Sequence, residues 1–196
     1  MYLHARYITL VMGIKLINLK PIVAALAMIV TFSLPLQAAE TVDELLNKLR
    51  NAEAAEAIQL DRAVQAEWSK TGSASMDLLL KRGRDALEVG DITAAIEHLT
   101  ALTDHAPDFP EGWHLRATAY YQAGLYGPAL GDLQTALRLN PNNYNAIFGR
   151  AVMMEELGDK QRAHEFYMRV RAIHPNHTEL TEALARLERD ALGQSL

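Results

Sequence analysis

Beyond residue 40, apolar residues fall at helical spacing through most of the chain. Val42, Leu45, Leu46 and Leu49 make the first stripe, and steps of three and four positions put them on one helix face. Thr41 and Glu44 have the spacing of a capping box, with Asp43 and Glu44 beside the positive end of the helix. The alanine-rich stretch 52–57 blurs this stripe, and a second run reaches Ile58, Leu60, Val64 and Trp68. The pattern over 40–69 predicts one long helix or, preferably, a helical hairpin. Its expected task is to cover the apolar face of the unit that follows, as terminal units of a stack do. Ser69-Lys70-Thr71-Gly72-Ser73-Ala74-Ser75 is a polar turn cluster that closes this segment, 39–75.

From Met76 the pattern repeats on a longer scale. A slide of 34 residues aligns Gly83, Ala117 and Ala151; Gly90, Gly124 and Gly158; Ala95, Ala129 and Ala163. It also aligns Leu99, Leu133 and Tyr167; Leu102, Ala136 and Val170; and Pro107, Pro141 and Pro175. A fixed period of this length marks a stacked-repeat architecture. Each unit reads as two antiparallel helices with Gly at the turn, where a left-handed backbone is least costly without a Cβ. The small residues let helices approach closely, while Leu79, Trp113 and Ile147 fill the space between layers. Each closing Pro lacks the N–H needed to continue the second helix. One hairpin cannot bury its own apolar face, so about three must stack to be stable.

The middle copy carries Trp113, Ala117, Tyr120, Gly124, Tyr126, Ala129, Leu133, Ala136 and Pro141. This set resembles the tetratricopeptide repeat (TPR) family, and the resemblance spans roughly residues 76–177. It implies an all-α fold: a short TPR solenoid of three helix–turn–helix repeats over 76–109, 110–143 and 144–177. An N-terminal helical hairpin would precede it, and a capping helix and tail would follow over 178–196. Glu179, Leu180, Leu184 and Leu187, with Arg186 and Arg189, supply that amphipathic helix, and Gly193 marks its end. Trp68-Ser69, Gly72-Ser73 and Met76-Asp77-Leu78-Leu79-Leu80 also look like the lead-in of small exported TPR proteins of the alphaproteobacterial type.

The first 38 residues hold Arg6, Lys15 and Lys20 but no acid, then an apolar run from Pro21 to Leu36 and the small residues Ala38-Ala39. That order describes a secretory signal peptide, with an uncleaved anchor as the alternative. The run is shorter than the ~20 residues a spanning helix needs. Met12 is an alternative start. The expected location is the periplasm, or the inner membrane with the chain facing the periplasm.

Without residues 1–38 the chain keeps 16 of its 19 Lys+Arg and all 24 Asp+Glu, a net charge of −8. An acidic balance argues against nucleic acid, whose binding surfaces are basic. A membrane partner is expected only if the N-terminal segment is retained. There is no cysteine, which excludes disulfides and thiol chemistry and fits an oxidising compartment.

By resemblance, the first helix of each repeat lines a concave groove. The places concerned are Asp77, Leu80, Arg84, Leu87 and Glu88; then Glu111, His114, Thr118, Tyr121 and Gln122; then Asn145, Phe148, Val152, Glu155 and Glu156. Apolar and aromatic anchors mixed with both signs of charge suit an extended or helical peptide. A solvated face, partly covered by the N-terminal hairpin, is the other reading. The chaperone-binding branch of the family holds a C-terminal carboxylate with Lys and Asn, but here Leu80, Arg84 and Gly149 stand at matching places. That clamp is absent. Arg82, Arg116 and Arg150 recur at the same period, as a ladder for an anionic ligand or as structural arginines paired with an acid such as Asp132. The structural reading predicts Arg116 or Arg150 within salt-bridge reach of Asp132.

Catalytic signals are weak. His174 and His177 flank a helix-ending Pro175 with no acid or Cys at ligand spacing. Ser69, Ser73 and Ser75 have no His–Asp arrangement nearby. The glycines do not cluster into a phosphate loop. The expectation is therefore no enzyme, no cofactor and no metal, but an exported interaction module that binds a peptide segment of a partner protein. The alternative is a membrane-tethered envelope assembly factor.

Overall fold

The computed structural model describes residues 40–193, so the expected export segment 1–38 lies outside the described residues. Among them there are nine helices and no strand. Two precede the repeats: α1 (Val42–Asn51) and α2 (Ala54–Trp68). The repeats follow as α3 (Ala74–Glu88) with α4 (Ile92–His105), α5 (Pro110–Gln122) with α6 (Tyr126–Leu139), and α7 (Tyr144–Glu156) with α8 (Lys160–Ile173). Last comes α9 (Leu180–Gly193). Each repeat packs on itself and on the repeat next to it in sequence.

Local chemistry sets the boundaries. Thr41 caps α1 through its hydroxyl while the Glu44 carboxylate accepts from the Thr41 N–H at 2.8 Å, completing the capping box. Gly90, Gly124 and Gly158 follow the first helix of each pair at φ of 76°, 73° and 82°, the left-handed region that favours glycine. Asp91 and Asp159 then cap the second helices with their side chains. Pro107, Pro141 and Pro175 lie directly after the last residues of α4, α6 and α8 have been capped.

The small residues aligned by the period are buried. Ala95, Ala129, Ala151 and Ala163 are wholly enclosed, and Gly83 and Ala117 nearly so. Three apolar clusters result. One centres on Leu80, Leu99 and Leu102 in the first repeat; the next holds Ala117, Leu133 and Met153. The third joins Tyr144, Ile147, Tyr167 and Val170 of the last repeat to Leu180, Ala183 and Leu187 of α9.

The N-terminal segment is a hairpin, but its partner differs from expectation. Leu45, Leu46, Leu49, Ala57, Leu60 and Val64 belong to the cluster of the third repeat, and none of them joins that of the first. Trp68 packs against Tyr144 with ring centroids 5.0 Å apart, and Asn176 Nδ2 donates to the carbonyl of Ala52 at 2.8 Å. A helix of 15 residues such as α2 spans roughly 22 Å at 1.5 Å per residue. Ser69, directly after α2, accepts from Arg84 of the first repeat at 2.8 Å. The last repeat offers large side chains, Tyr144 and Tyr167, where the leucine stripe can be buried completely.

Candidate peptide-binding groove

The first helices of the second and third repeats, α5 and α7, wall a cavity of about 480 Å³. From α5 come His114, Thr118, Tyr121 and Gln122; from α7 come Asn145, Phe148 and Val152. The helical period explains this, because places five, nine, twelve and thirteen share one face. Ala117, Gly149, Leu133 and Met153 form the floor. A Cβ on Gly149 would meet Leu133 in ordinary contact at 3.6 Å. His177 and Glu179, between α8 and α9, also line it.

The walls are aromatic and the polar groups are mostly engaged. Tyr121 donates its hydroxyl to Glu156, and that bond is the main reason its phenol is pushed up to about 12. Its ring lies 5.8 Å from that of Tyr126. Phe148 stacks on the His177 imidazole at 4.7 Å and 28°. His177 Nε2 is 3.3 Å from Asn145 Oδ1, while its buried Nδ1 has no partner. Burial pushes the His177 imidazole below its ordinary value, with Asp61 opposing weakly, so the ring is neutral near pH 7. Beside the cavity, Arg84 donates to Glu111 at 2.9 Å and to Ser69 Oγ at 2.8 Å. Burial raises the Glu111 carboxyl, but His114 and Arg84 more than offset it and leave it below the usual range. No Lys or Arg lines the cavity.

Of the fifteen groove places read from the sequence, His114, Thr118, Tyr121, Gln122, Asn145, Phe148 and Val152 meet in this one cavity. The others do not. Leu80 is 3% exposed inside the first-repeat cluster, where the neighbouring helix α5 gives its side chain an apolar seat. Leu87 packs half-buried against the same cluster. Arg84 is tied to Glu111. Glu155 turns toward α9, accepting from Arg186 at 2.6 and 2.9 Å and from Tyr167 at 2.8 Å. Helical register could not find His177 and Glu179, which lie beyond the helix-ending Pro175. His174, the other histidine of that motif, packs edge-on to Tyr144 at 5.1 Å and is buried. Among the described residues no group of His, Cys, Asp and Glu is arranged to hold a metal.

The Arg116 guanidinium grips Asp132 along one edge, Nε to Oδ2 at 2.6 Å and Nη2 to Oδ1 at 2.9 Å. Arg116 is thus a structural residue, as its pairing predicts. Arg150 has no such partner.

A family model described as tetratricopeptide repeat matches residues 80–132 and 114–178. A TPR repeat-containing protein of Rhizobium etli is 26% identical over 155 residues, covering 79% of this chain and 76% of its own length. The heat shock protein sti1 homolog of Schizosaccharomyces pombe is 28% identical over 108 residues, and the match spans 17% of its length. Among solved structures, the first TPR of Spaghetti (RPAP3), bound to the HSP90 peptide SRMEEVD, superposes with a TM-score of 0.57 at 26% identity. The match covers 60% of this chain and 93% of that one. MamA, at 18% identity and a TM-score of 0.55 over 78% of this chain, shares the fold.

Proposed function

Since the chain belongs to the tetratricopeptide repeat family, we propose that it is a non-catalytic adaptor whose groove holds an extended segment of a partner protein. The observation that carries this reading is the cavity between α5 and α7, walled by Tyr121 and Phe148 and left unfilled by the chain's own side chains. A structural relative at 26% identity is bound to a peptide of HSP90, which supports peptide capture as the use of such a surface. The grip differs here. With no Lys or Arg lining the cavity, affinity comes from aromatic and aliphatic contact plus hydrogen bonds to Asn145, Gln122 and the peptide backbone.

The basic start, apolar run and small residues of 1–38 support export, with the periplasm as the proposed location. If residues 1–38 are retained, the same groove serves a membrane-tethered assembly factor instead. Intact mass of the protein from its native compartment separates the two, since cleavage removes about 38 residues. The groove is tested by affinity capture from envelope extract with wild-type protein and with Tyr121→Ala and Phe148→Ala variants of unchanged helicity. Loss of the same partners from both variants supports the groove; equal recovery by all three forms rejects it.

A further inference from the structure

We propose that Arg150 and Arg169, set around Phe166 in the third repeat, form a second docking site that takes a carboxylate from an acidic segment of a partner protein. The 34-residue period supplies the comparison. Arg116 and Arg150 hold equivalent places, and so do Asp132 and Phe166. In the second repeat the guanidinium fork is filled from within: Asp132 takes two hydrogen bonds, and Thr103 Oγ1 accepts a third from Nη1 at 2.8 Å. In the third repeat Phe166 replaces the internal acid. Arg150 Cζ lies 5.2 Å from the centre of that ring, and Arg169 Cζ lies 5.4 Å from it.

The Arg150 fork is left open. Its Nε is buried and has no hydrogen-bond partner, a condition that native interiors avoid because it forfeits the group's solvation. Burial lowers the Arg150 pKa, and the nearby charges of Arg169 and Arg162 lower it further; no acid acts in the opposite direction. Arg162 is paired with Asp159. Two further cations thus stand near Arg150, whose own Nε has no partner. Arg150 and Phe166 are half-buried and Arg169 is exposed, so an incoming group can reach them.

The chemistry selects a carboxylate. A guanidinium presents two parallel N–H groups that match two coplanar oxygens, and the sister site at Arg116 shows that this place accepts such a pair. Phe166 stacks on the cations but offers no donor, so a tetrahedral phosphate would leave oxygens unsatisfied against the ring. The site is separate from the groove, since neither arginine lines the cavity.

The test is fluorescence anisotropy with the full chain and a short labelled poly-glutamate peptide with blocked ends, at low salt. A poly-glutamine peptide of the same length is the control, and inorganic phosphate the competitor. The expected result is binding of the glutamate peptide only, weakened on the order of tenfold or more by Arg150→Gln, the loss of one charge-assisted pair. Phe166→Asp restores the internal acid and is expected to abolish binding while helicity is kept. Should that variant fail to fold, Arg169→Gln, expected to weaken binding in the same direction, decides in its place. No binding of the glutamate peptide, unchanged binding by a folded Phe166→Asp or by Arg150→Gln, or displacement by phosphate beyond that by equal ionic strength of chloride would each overturn the assignment. None of these outcomes depends on Tyr121 or Phe148, so the groove stands or falls separately.

Discussion

Tyr144 donates its hydroxyl to Asp61 at 2.5 Å, across 83 residues of sequence. The tyrosine is wholly buried, and this bond ties the N-terminal hairpin to the first helix of the last repeat. Burial, and then the bond to Asp61, pushes the Tyr144 phenol well above its ordinary value, so it is a donor at every physiological pH.

Tyr144→Phe removes the donor while keeping the ring that packs on Trp68. Hydrogen bonds to charged groups contribute about 1.5–3 kcal/mol. Asp61 is 26% exposed and can regain water, so the lower end of that range is expected. Denaturant unfolding measures the loss, and hydrogen exchange should quicken in α1 and α2 before the rest.

Stability should fall as the pH drops below about 6.5. Burial lowers the folded-state pKa of both His174 and His177 from 6.5. The unfolded chain therefore takes up two protons that the folded chain refuses, and the difference grows until the lowered folded values are passed. Asp61 acts the other way at both rings but more weakly. Glu111 also favours the folded state when ionised, yet its window opens only below about 4.5. Melting temperatures at pH 7.5, 6.5 and 5.5 should decline, and a His174→Asn, His177→Gln double variant should flatten the decline.

The repeats and their turns were legible because one period fixes many residues at once: Gly124 for the turn, Ala129 for the close approach, Pro141 for the stop. The hairpin's destination was not. A stripe such as Leu45, Leu46 and Leu49 says which face is buried but not against what, and the third repeat is the most distant of the three along the chain. The groove was legible where it follows helical register, as at Tyr121 and Phe148. Register also misplaced Leu80, since it ranks positions by direction and is blind to a neighbouring helix that fills the space. His177 reaches the cavity from a turn, where no period applies.

Asp132→Ala should be among the most damaging single changes of a charged residue in the repeats, since Asp132 is buried. It leaves the Arg116 guanidinium, whose side chain is 12% exposed, without its counter-charge. Breaking one side of a buried pair costs roughly 3–5 kcal/mol. Lys81→Ala removes a pair whose partners are 70% and 56% exposed, and such pairs contribute about 0.5 kcal/mol or less. Parallel urea titrations of the two variants check the contrast.

Two glycines should respond in opposite senses to alanine. A Cβ on Gly83 would lie 2.6 Å from both Cγ and Cδ2 of Leu99, which is fully enclosed. Such overpacking costs about 1–3 kcal/mol. Gly131, inside α6, has nothing within 4 Å of that position. Gly131→Ala should stabilise by up to about 1 kcal/mol through helix propensity alone. Thermal melts of both variants distinguish the signs.

The seat of α1 and α2 on the last repeat has a consequence for the order of events. A chain delivered amino end first releases its leucine stripe long before Tyr144 and Tyr167 arrive to receive it. The opening helices must wait, with greasy side chains uncovered, until nearly the whole polypeptide has emerged. Any message truncated before α7 would yield a fragment that never silences that stripe, and proteases or holding chaperones would meet it first.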